Sequence, residues 1–318
     1  MVKVSIIIPV KNSAGMLEKC LASIRRLDFP MDALEIIVVD GGSTDGSVEV
    51  AKRFGCKVVF EDKGIISYAR DIGVKHASGE FIAFTDSDCI VDRGWVRELL
   101  NCFGDDRVAA VGGPNLTPDD DTDFGKSVGD VLAFLSEAGA RYGLNAGEVM
   151  EVYHNPTCNV MYRRRVLEEV GGFNHRLVTV DDEELDYRIR RRGYRILYTP
   201  KAVVYHYRRR SWRSFAKMAF NYGLGRMQAI KLHRDMGRWF HYTPLAIILL
   251  IFLSLALSVV NSIFLISAFL ALFLGGVGIA IMSLYLSLKI GRSPFRYFGL
   301  IAIWFWGYGL GMLRGLMK

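Results

Sequence analysis

A chain of 318 residues, 51% of them hydrophobic, has enough apolar material for one large domain or two and is not a disordered segment. Its net charge of +7 is unevenly spread: residues 1–207 carry 26 Lys and Arg against 32 Asp and Glu, residues 208–238 nine basic residues against Asp235 alone, and residues 239–318 five basic residues and no acid. An acidic front followed by a basic, then apolar, tail suits an anionic membrane surface and not nucleic acid, while five scattered cysteines without a Cys-x-x-Cys pair argue for a reducing compartment and against zinc or a disulfide framework.

The apolar run at the front is too short for a signal peptide and reads as a strand, with Val4–Val10 a continuous β-branched stretch around Pro9. Leu17, Leu21 and Ile24 at helical spacing predict a helix over 15–26. Leu34–Asp40 is a second buried strand that ends in an acid, followed at once by Gly41-Gly-Ser-Thr-Asp-Gly46 and a helix over 47–54. The alternation strand, helix, strand, helix predicts a mostly parallel sheet with helices on both faces. The glycine turn is neither a P-loop nor a Gly-x-Gly-x-x-Gly fingerprint, so Asp40 either hydrogen-bonds a base and ribose or caps the next helix. A third strand over 57–60 and a helix over 66–76 carrying Arg70 and Asp71 lead to Ser78-Gly79.

Glu80-Phe-Ile-Ala-Phe-Thr-Asp86-Ser-Asp88 organises the chain. A short run of β-formers ends in two carboxylates one residue apart, as a buried strand does where it opens into the crevice that holds ligands in open α/β sheets. That pair can hold a hard divalent cation, with water and substrate phosphates completing the shell; the same spacing also occurs in turns and helix caps. Beyond it, 95–102 reads as helix and 108–111 as strand, closed by Gly112-Gly-Pro. Asp119–Asp123 reads as a solvated acidic loop, and 124–150, with Gly125, Gly129, Gly139 and Gly143, as helix plus mobile loop where an acceptor would lie. A strand over 159–162 and a helix from Arg163 to Gly171 follow. In Asp181-Asp-Glu-Glu-Leu-Asp-Tyr-Arg-Ile-Arg-Arg-Arg-Gly193 the acids crowd the first turn and the arginines the last, which matches the helix dipole and leaves the first acids at the helix mouth, open to a pocket. Arg195–Tyr198 and Ala202–His206 close the series as strands.

The runs Val4-Ser-Ile-Ile-Ile-Pro-Val-Lys-Asn, Ile36-Ile-Val-Val-Asp-Gly-Gly-Ser-Thr-Asp-Gly-Ser, Tyr68-Ala-Arg-Asp, Ser78–Asp88 and Asp181–Arg188, in this order, resemble the family 2 inverting glycosyltransferases over roughly residues 2–225. The resemblance implies a GT-A fold, Rossmann-like, with Mn²⁺ or Mg²⁺ and a nucleoside-diphosphate sugar linked to UDP or GDP. It places Pro9 and Asp40 at the nucleoside, with Val10, Asn12, Gly41, Ser43, Arg70 and Ser87 around the donor. It places Asp86 near ribose and metal, Asp88 on the metal-binding acid, and His206 near the metal or diphosphate. Asp182 falls on the acid of the family's Glu-Asp pair, the catalytic base; Asp181 stands where the family has glutamate, so either can be the base. Inversion needs a base on the acceptor side and charge neutralisation on the leaving side, which these positions supply.

Arg208-Arg-Arg-Ser-Trp-Arg-Ser-Phe-Ala-Lys217 opens a basic segment interleaved with Trp212, Phe215, Phe220 and Tyr222, the pattern of helices lying among lipid headgroups. From Tyr242 to Leu288 no residue in 47 is charged, enough for two spans joined near Asn261. The expected organisation is a GT-A domain over 1–207, basic amphipathic helices over 208–241, and a membrane domain over 242–318 with spans at 244–260 and 263–288. A third apolar run, 297–313, either crosses or lies re-entrant. Lys289, Arg292 and Arg296, with the basic segment, put the catalytic domain on the cytoplasmic face. The expected function is sugar transfer to a lipid-linked acceptor at that face. A polyprenyl (dolichyl) phosphate sugar synthase and a non-catalytic nucleotide-sugar-binding membrane scaffold are the alternatives.

Overall fold

The computed structural model describes residues 3–135 and 147–317; part of the predicted acceptor loop, with Gly139 and Gly143, lies outside them. The strands are β1 (Val4–Val10), β2 (Leu34–Asp40), β3 (Lys57–Phe60), β4 (Phe81–Phe84), β5 (Cys89–Val91), β6 (Val108–Gly112), β7 (Asn115–Leu116), β8 (Met150–Glu151), β9 (Val160–Arg163), β10 (Arg195–Tyr198) and β11 (Val204–His206). The helices are α1 (Ala14–Ile24), α2 (Ser47–Arg53), α3 (Ile66–His76), α4 (Trp95–Leu100), α5 (Asp123–Leu135), α6 (Arg164–Val170), α7 (Asp181–Arg191), α8 (Trp212–Leu232), α9 (Trp239–Leu257), α10 (Ile263–Ile290) and α11 (Pro294–Met317). The chain divides into two compact units, one of residues 1–121, 133–176 and 181–207, the other of 122–132, 177–180 and 208–318.

In the first unit the eight strands run in the order β3-β2-β1-β4-β9-β6-β10-β8. β1 to β4 pair in parallel, as the βα alternation predicts, and β10 is parallel to β6. β9 is antiparallel to both β4 and β6, and β8 is antiparallel to β10. The sheet is buried on both faces, with one apolar cluster around Ile6, Ile8, Leu17, Val38 and Trp95 and the other around Ile7, Ile37, Phe84, Tyr162 and Leu185. This is why β1 and β2 read as continuous apolar runs. In the second sheet, β5-β11-β7, only β11 was read from the sequence, as the strand over 202–206. Strands as short as β5 and β7 carry no periodicity of their own and form only because β11 offers both edges.

Asn159, fully buried, ties this layer together. Its Oδ1 accepts the Trp95 indole N–H at 2.7 Å and its amide donates to the carbonyls of Pro114 and Ala202, both at 2.8 Å. Gly113 permits the approach, since a Cβ there would stand 2.1 Å from the Ala202 oxygen.

In the second unit α9, α10 and α11 are each long and apolar enough to cross a membrane. α11 is the most enclosed of the three and α10 the least. A row of glycines on α11 lets backbones meet: a Cβ on Gly311 would lie 2.0 Å from the Phe220 oxygen of α8, and one on Gly309 3.1 Å from the backbone of Pro244 in α9. α8 is capped by a Ser211–Ser214 capping box and buries Phe215, Ala219, Gly223 and Met227. Arg292 pairs with Asp130, which also accepts the Tyr297 hydroxyl at 2.7 Å, and Arg296 donates to the Asp123 carbonyl at 3.0 Å. Two of the three arginines and lysines read as topology markers therefore also hold α5 in place. The segment 177–180 is fixed on α8 by Thr179 Oγ1 to the Asn221 carbonyl at 3.0 Å and Val178 N–H to Gln228 at 3.1 Å.

Asn159→Ala removes the partner of the buried Trp95 indole N–H and of the Ala202 carbonyl, while the Pro114 carbonyl keeps the Val204 N–H at 3.0 Å. It is expected to cost about 2–4 kcal/mol and lower the melting temperature in detergent by several degrees, read by thermal unfolding of the purified chain.

Candidate active site

The C-terminal ends of β2, β1 and β4 lie side by side, because Val10 pairs with Asp40 and Ile7 with Phe84 in parallel register. Asp40, 2% exposed, uses Oδ2 to accept the N–H groups of Gly42 and Ser43, both at 3.0 Å. Gly42 can make that turn because it holds φ +81°. Asp40 Oδ1 is buried with no protein partner, an acceptor left for a ligand donor. The capping role belongs instead to Asp45, which accepts Ser47 N–H at 3.1 Å and Ala14 N–H at 2.8 Å and so serves the first turns of α2 and α1. Asn12, at φ +50°, accepts Thr44 N–H at 2.8 Å, and its own N–H donates to Ser43 Oγ at 2.9 Å. These two side chains latch the loop after β1 to the turn after β2. Gly41 N–H donates to the Val10 carbonyl at 2.9 Å, and Pro9 is half-buried beside it.

Asp86, Ser87 and Asp88 leave β4 half-buried. Burial pushes the Asp86 carboxyl up to about 6, against the pull of Arg70 and with the repulsion of Asp88. His206 Nε2 lies 3.3 Å from Asp88 Oδ1. Burial works against the charged imidazole, but the Asp88 carboxylate outweighs it and raises His206 to about 10. Asp88, Cys89 and His206 each bring one ligand atom to within 4.8 Å of the others. Carboxylate oxygen and imidazole nitrogen suit Mn²⁺, and the carboxylates suit Mg²⁺, so these residues fit the divalent cation the sequence implied.

Arg70, on α3 and 5% exposed, stands between the two acidic segments. Its Nη1 bonds Asp181 Oδ2 at 2.8 Å and its Nη2 lies 3.9 Å from Asp86 Oδ1. The neighbouring Asp71 accepts Phe173 N–H at 3.1 Å and meets His175 Nε2 at 2.6 Å, so one turn of α3 fixes both the start of α7 and the loop before it. The four acids of α7 divide. Asp181, 4% exposed, is committed to Arg70, and Glu184, 1% exposed, to Arg188 at 2.9 Å. Asp182 keeps 19% of its side chain exposed, with Oδ2 accepting Thr157 N–H at 3.2 Å and Oδ1 accepting Glu183 N–H at 2.9 Å. Burial alone would raise its pKa; His154, Arg70 and the Thr157 N–H together bring it below the ordinary carboxylate range, so Asp182 is ionised at neutral pH.

Sequence reasoning missed the group behind Asp182. His154 Nε2 lies 3.8 Å from Asp182 Oδ2, and its Nδ1 meets the fully buried Asp186 at 2.8 Å. Asp186 also accepts Asn155 N–H at 3.0 Å and the Tyr162 hydroxyl at 2.8 Å. The only signal was Asp186 itself, one turn beyond Asp182 on the same helix face.

On this mostly parallel sheet, residues 5–171 match the Glycosyl transferase family 2 domain. The chain belongs to that family. It is similar to the glycosyltransferase AglE of Haloferax volcanii, 28% identical over 237 residues, 73% of this chain and 75% of that one. A second relative, from Methanococcus voltae, is named dolichyl N-acetyl-alpha-D-glucosaminyl phosphate 3-beta-D-2,3-diacetamido-2,3-dideoxy-beta-D-glucuronosyltransferase and is 24% identical, covering 69% of this chain and 71% of its own. Among solved structures, the mannosyltransferase PcManGT of Pyrobaculum calidifontis, in complex with GDP-Man and Mn²⁺, shares the fold at a TM-score of 0.65 and 20% identity, over 98% of this chain and 87% of that one.

Arg70→Met strands Asp181 as a buried, uncompensated charge. The expected cost is about 3–5 kcal/mol, seen as a lowered unfolding temperature that partly recovers in the double variant Arg70→Met, Asp181→Asn.

Proposed function

We propose that this protein transfers a sugar, with inversion, from a nucleoside-diphosphate sugar to a hydroxyl of a lipid-linked acceptor at the cytoplasmic membrane face. One observation carries the reading: of the paired acids at the mouth of α7, Asp181 is consumed by Arg70 while Asp182 stays ionised and partly open. Asp182 accepts the proton of the acceptor hydroxyl as its oxygen attacks the anomeric carbon, and the nucleoside diphosphate departs from the opposite face. Thr157 and His154 hold the carboxylate in place. Asp40 Oδ1 takes a donor hydrogen of the base or ribose, with Pro9, Val10, Asn12, Gly41, Ser43 and Ser87 shaping that end of the crevice. A divalent cation held by Asp88 and His206, beside Asp86, would neutralise charge on the leaving diphosphate. Arg70 adds a fixed positive charge on that side.

The lipid-linked acceptor is supported by α9, α10 and α11, each long enough to cross, and by the relative whose name carries a dolichyl phosphate acceptor. Tethering beside a substrate that cannot leave the bilayer raises its effective concentration. An ionised base favours a hydroxyl acceptor over a polyprenyl phosphate, which is already charged and needs no deprotonation.

The purified chain, given UDP- and GDP-sugars with membrane lipid extract, is expected to release nucleoside diphosphate and to label a solvent-extractable lipid that mass spectrometry identifies as a glycosylated glycolipid. Label that partitions into water sinks the lipid acceptor. Asp182→Asn is expected to lower kcat about 10²–10⁴-fold with donor KM little changed, and Asp88→Ala to abolish turnover. Because His206 holds a proton up to about pH 10 and Asp86 takes one near pH 6, apparent Mn²⁺ affinity measured by calorimetry should fall with pH below about 10, and more steeply, by up to about a further tenfold per pH unit, below about 6. Asp86→Asn should remove only the added steepening below pH 6.

A further inference from the structure

The cation site sits where two sheets meet, and their registers fill it with sulfur. In the antiparallel pairing of β5 with β11, Cys89 stands directly opposite His206, so both side chains project from the same face. In the antiparallel pairing of β4 with β9, Phe84 stands opposite Val160, which carries Cys158, two residues earlier, to the level of Asp86, two residues later. Thr85 Oγ1 fixes that level by donating to the Cys158 carbonyl at 3.1 Å. Cys158, carried to this level, is not one of the three residues whose ligand atoms lie within 4.8 Å of one another, which are Asp88, Cys89 and His206. The Asn115 amide, on β7 of the same small sheet, donates to Cys158 Sγ at 3.0 Å, a bond that strengthens as sulfur gains negative charge. Cys89 is 1% exposed and Cys158 4%, whereas the Asp88 side chain keeps 35% and the His206 side chain 21%. The sulfur atoms therefore line the floor of the site and the oxygen and nitrogen donors its open side.

From this geometry we propose that the site is a mixed hard and soft one: Asp88, Cys89 and His206 bind a thiophilic divalent cation of the Zn²⁺ class in competition with Mn²⁺. The inference rests on the reading of Asp88 and His206 as cation ligands made above. A hard cation uses the carboxylate, the imidazole and substrate phosphate oxygens and leaves the thiols protonated. A soft cation exchanges the Cys89 thiol proton, which passes to solvent, for a metal–sulfur bond. Three protein donors leave one position of a tetrahedral ion open. The two ions therefore exclude one another at one site, and the soft one is held by a bond the hard one does not make.

Cobalt reports the difference without turnover, since thiolate ligation gives Co²⁺ an intense near-ultraviolet charge-transfer absorption that oxygen and nitrogen ligands do not. Full-length protein in detergent, kept reduced with a non-chelating phosphine, is titrated with Co²⁺ and then with Zn²⁺ or Mn²⁺. The expected result is a charge-transfer band that equimolar Zn²⁺ removes and a large excess of Mn²⁺ does not. In Cys89→Ser the band is lost and Zn²⁺ affinity falls at least about tenfold, while Mn²⁺ affinity, followed by electron paramagnetic resonance, changes less than about threefold; Cys158→Ser keeps the band. Bound Co²⁺ without a charge-transfer band overturns the proposal, as does a band that survives in Cys89→Ser and so arises at another cysteine. Mn²⁺ binding lost in Asp88→Ala alongside a missing cobalt band means that only the sulfur ligation is wrong. Mn²⁺ binding unchanged in Asp88→Ala removes the cation-site reading itself, and the proposal with it.

Discussion

A buried arginine sets the geometry of the site. Arg70 arises from α3 and faces acids contributed by two segments almost a hundred residues apart, Asp86 and Asp181. Both acids are largely withdrawn from water, and without the guanidinium they could not be held together ionised. Its planar fork allows one side chain to face two carboxylates, which a lysine ammonium at the end of a flexible stem would do less rigidly. Because Asp181 is spent in this way, its neighbour Asp182 is left oriented by Thr157 and His154. The division of labour within the acidic pair is a consequence of where one cation sits.

From Arg70 a chain of polar contacts runs both ways. On one side lie Asp86, then Asp88 and His206; on the other Asp181, Asp182, His154, Asp186 and Tyr162. The first branch is charged and half open, suited to a diphosphate and its cation. The second ends in full burial, where Asp186 has every oxygen occupied and cannot move without leaving Asn155 N–H and the Tyr162 hydroxyl unpaired. Asp182, backed by such a group, has a fixed position, which the base proposed for it needs for attack along one line at an anomeric carbon.

The second unit follows different rules because its helices expose most of their apolar surface. Glycines on α11 replace the interdigitated core of the sheet, letting α8 and α9 approach at backbone distance. The same basic residues that read as orientation signals, Arg292 and Arg296, also bind α5 through Asp130 and the Asp123 carbonyl. A charge near a helix end can therefore serve topology and packing together.

The sequence alone determined the βα order of the first half, the acids at the ends of β2 and β4, the charge-ordered helix α7 and the three apolar stretches at the end, because each is a local pattern of hydrophobic period, charge order or run length. Tertiary structure decided the rest. It turned β9 antiparallel between β4 and β6, added β5 and β7, too short to announce themselves, to the edges of β11, gave capping to Asp45 and left Asp40 an open acceptor. It also set Cys89 opposite His206 and beside Asp88, although their spacing along the chain resembles no metal motif. Contacts between segments tens of residues apart are fixed by strand register and by the pairing of buried charges, and neither leaves a trace in the local order of residues.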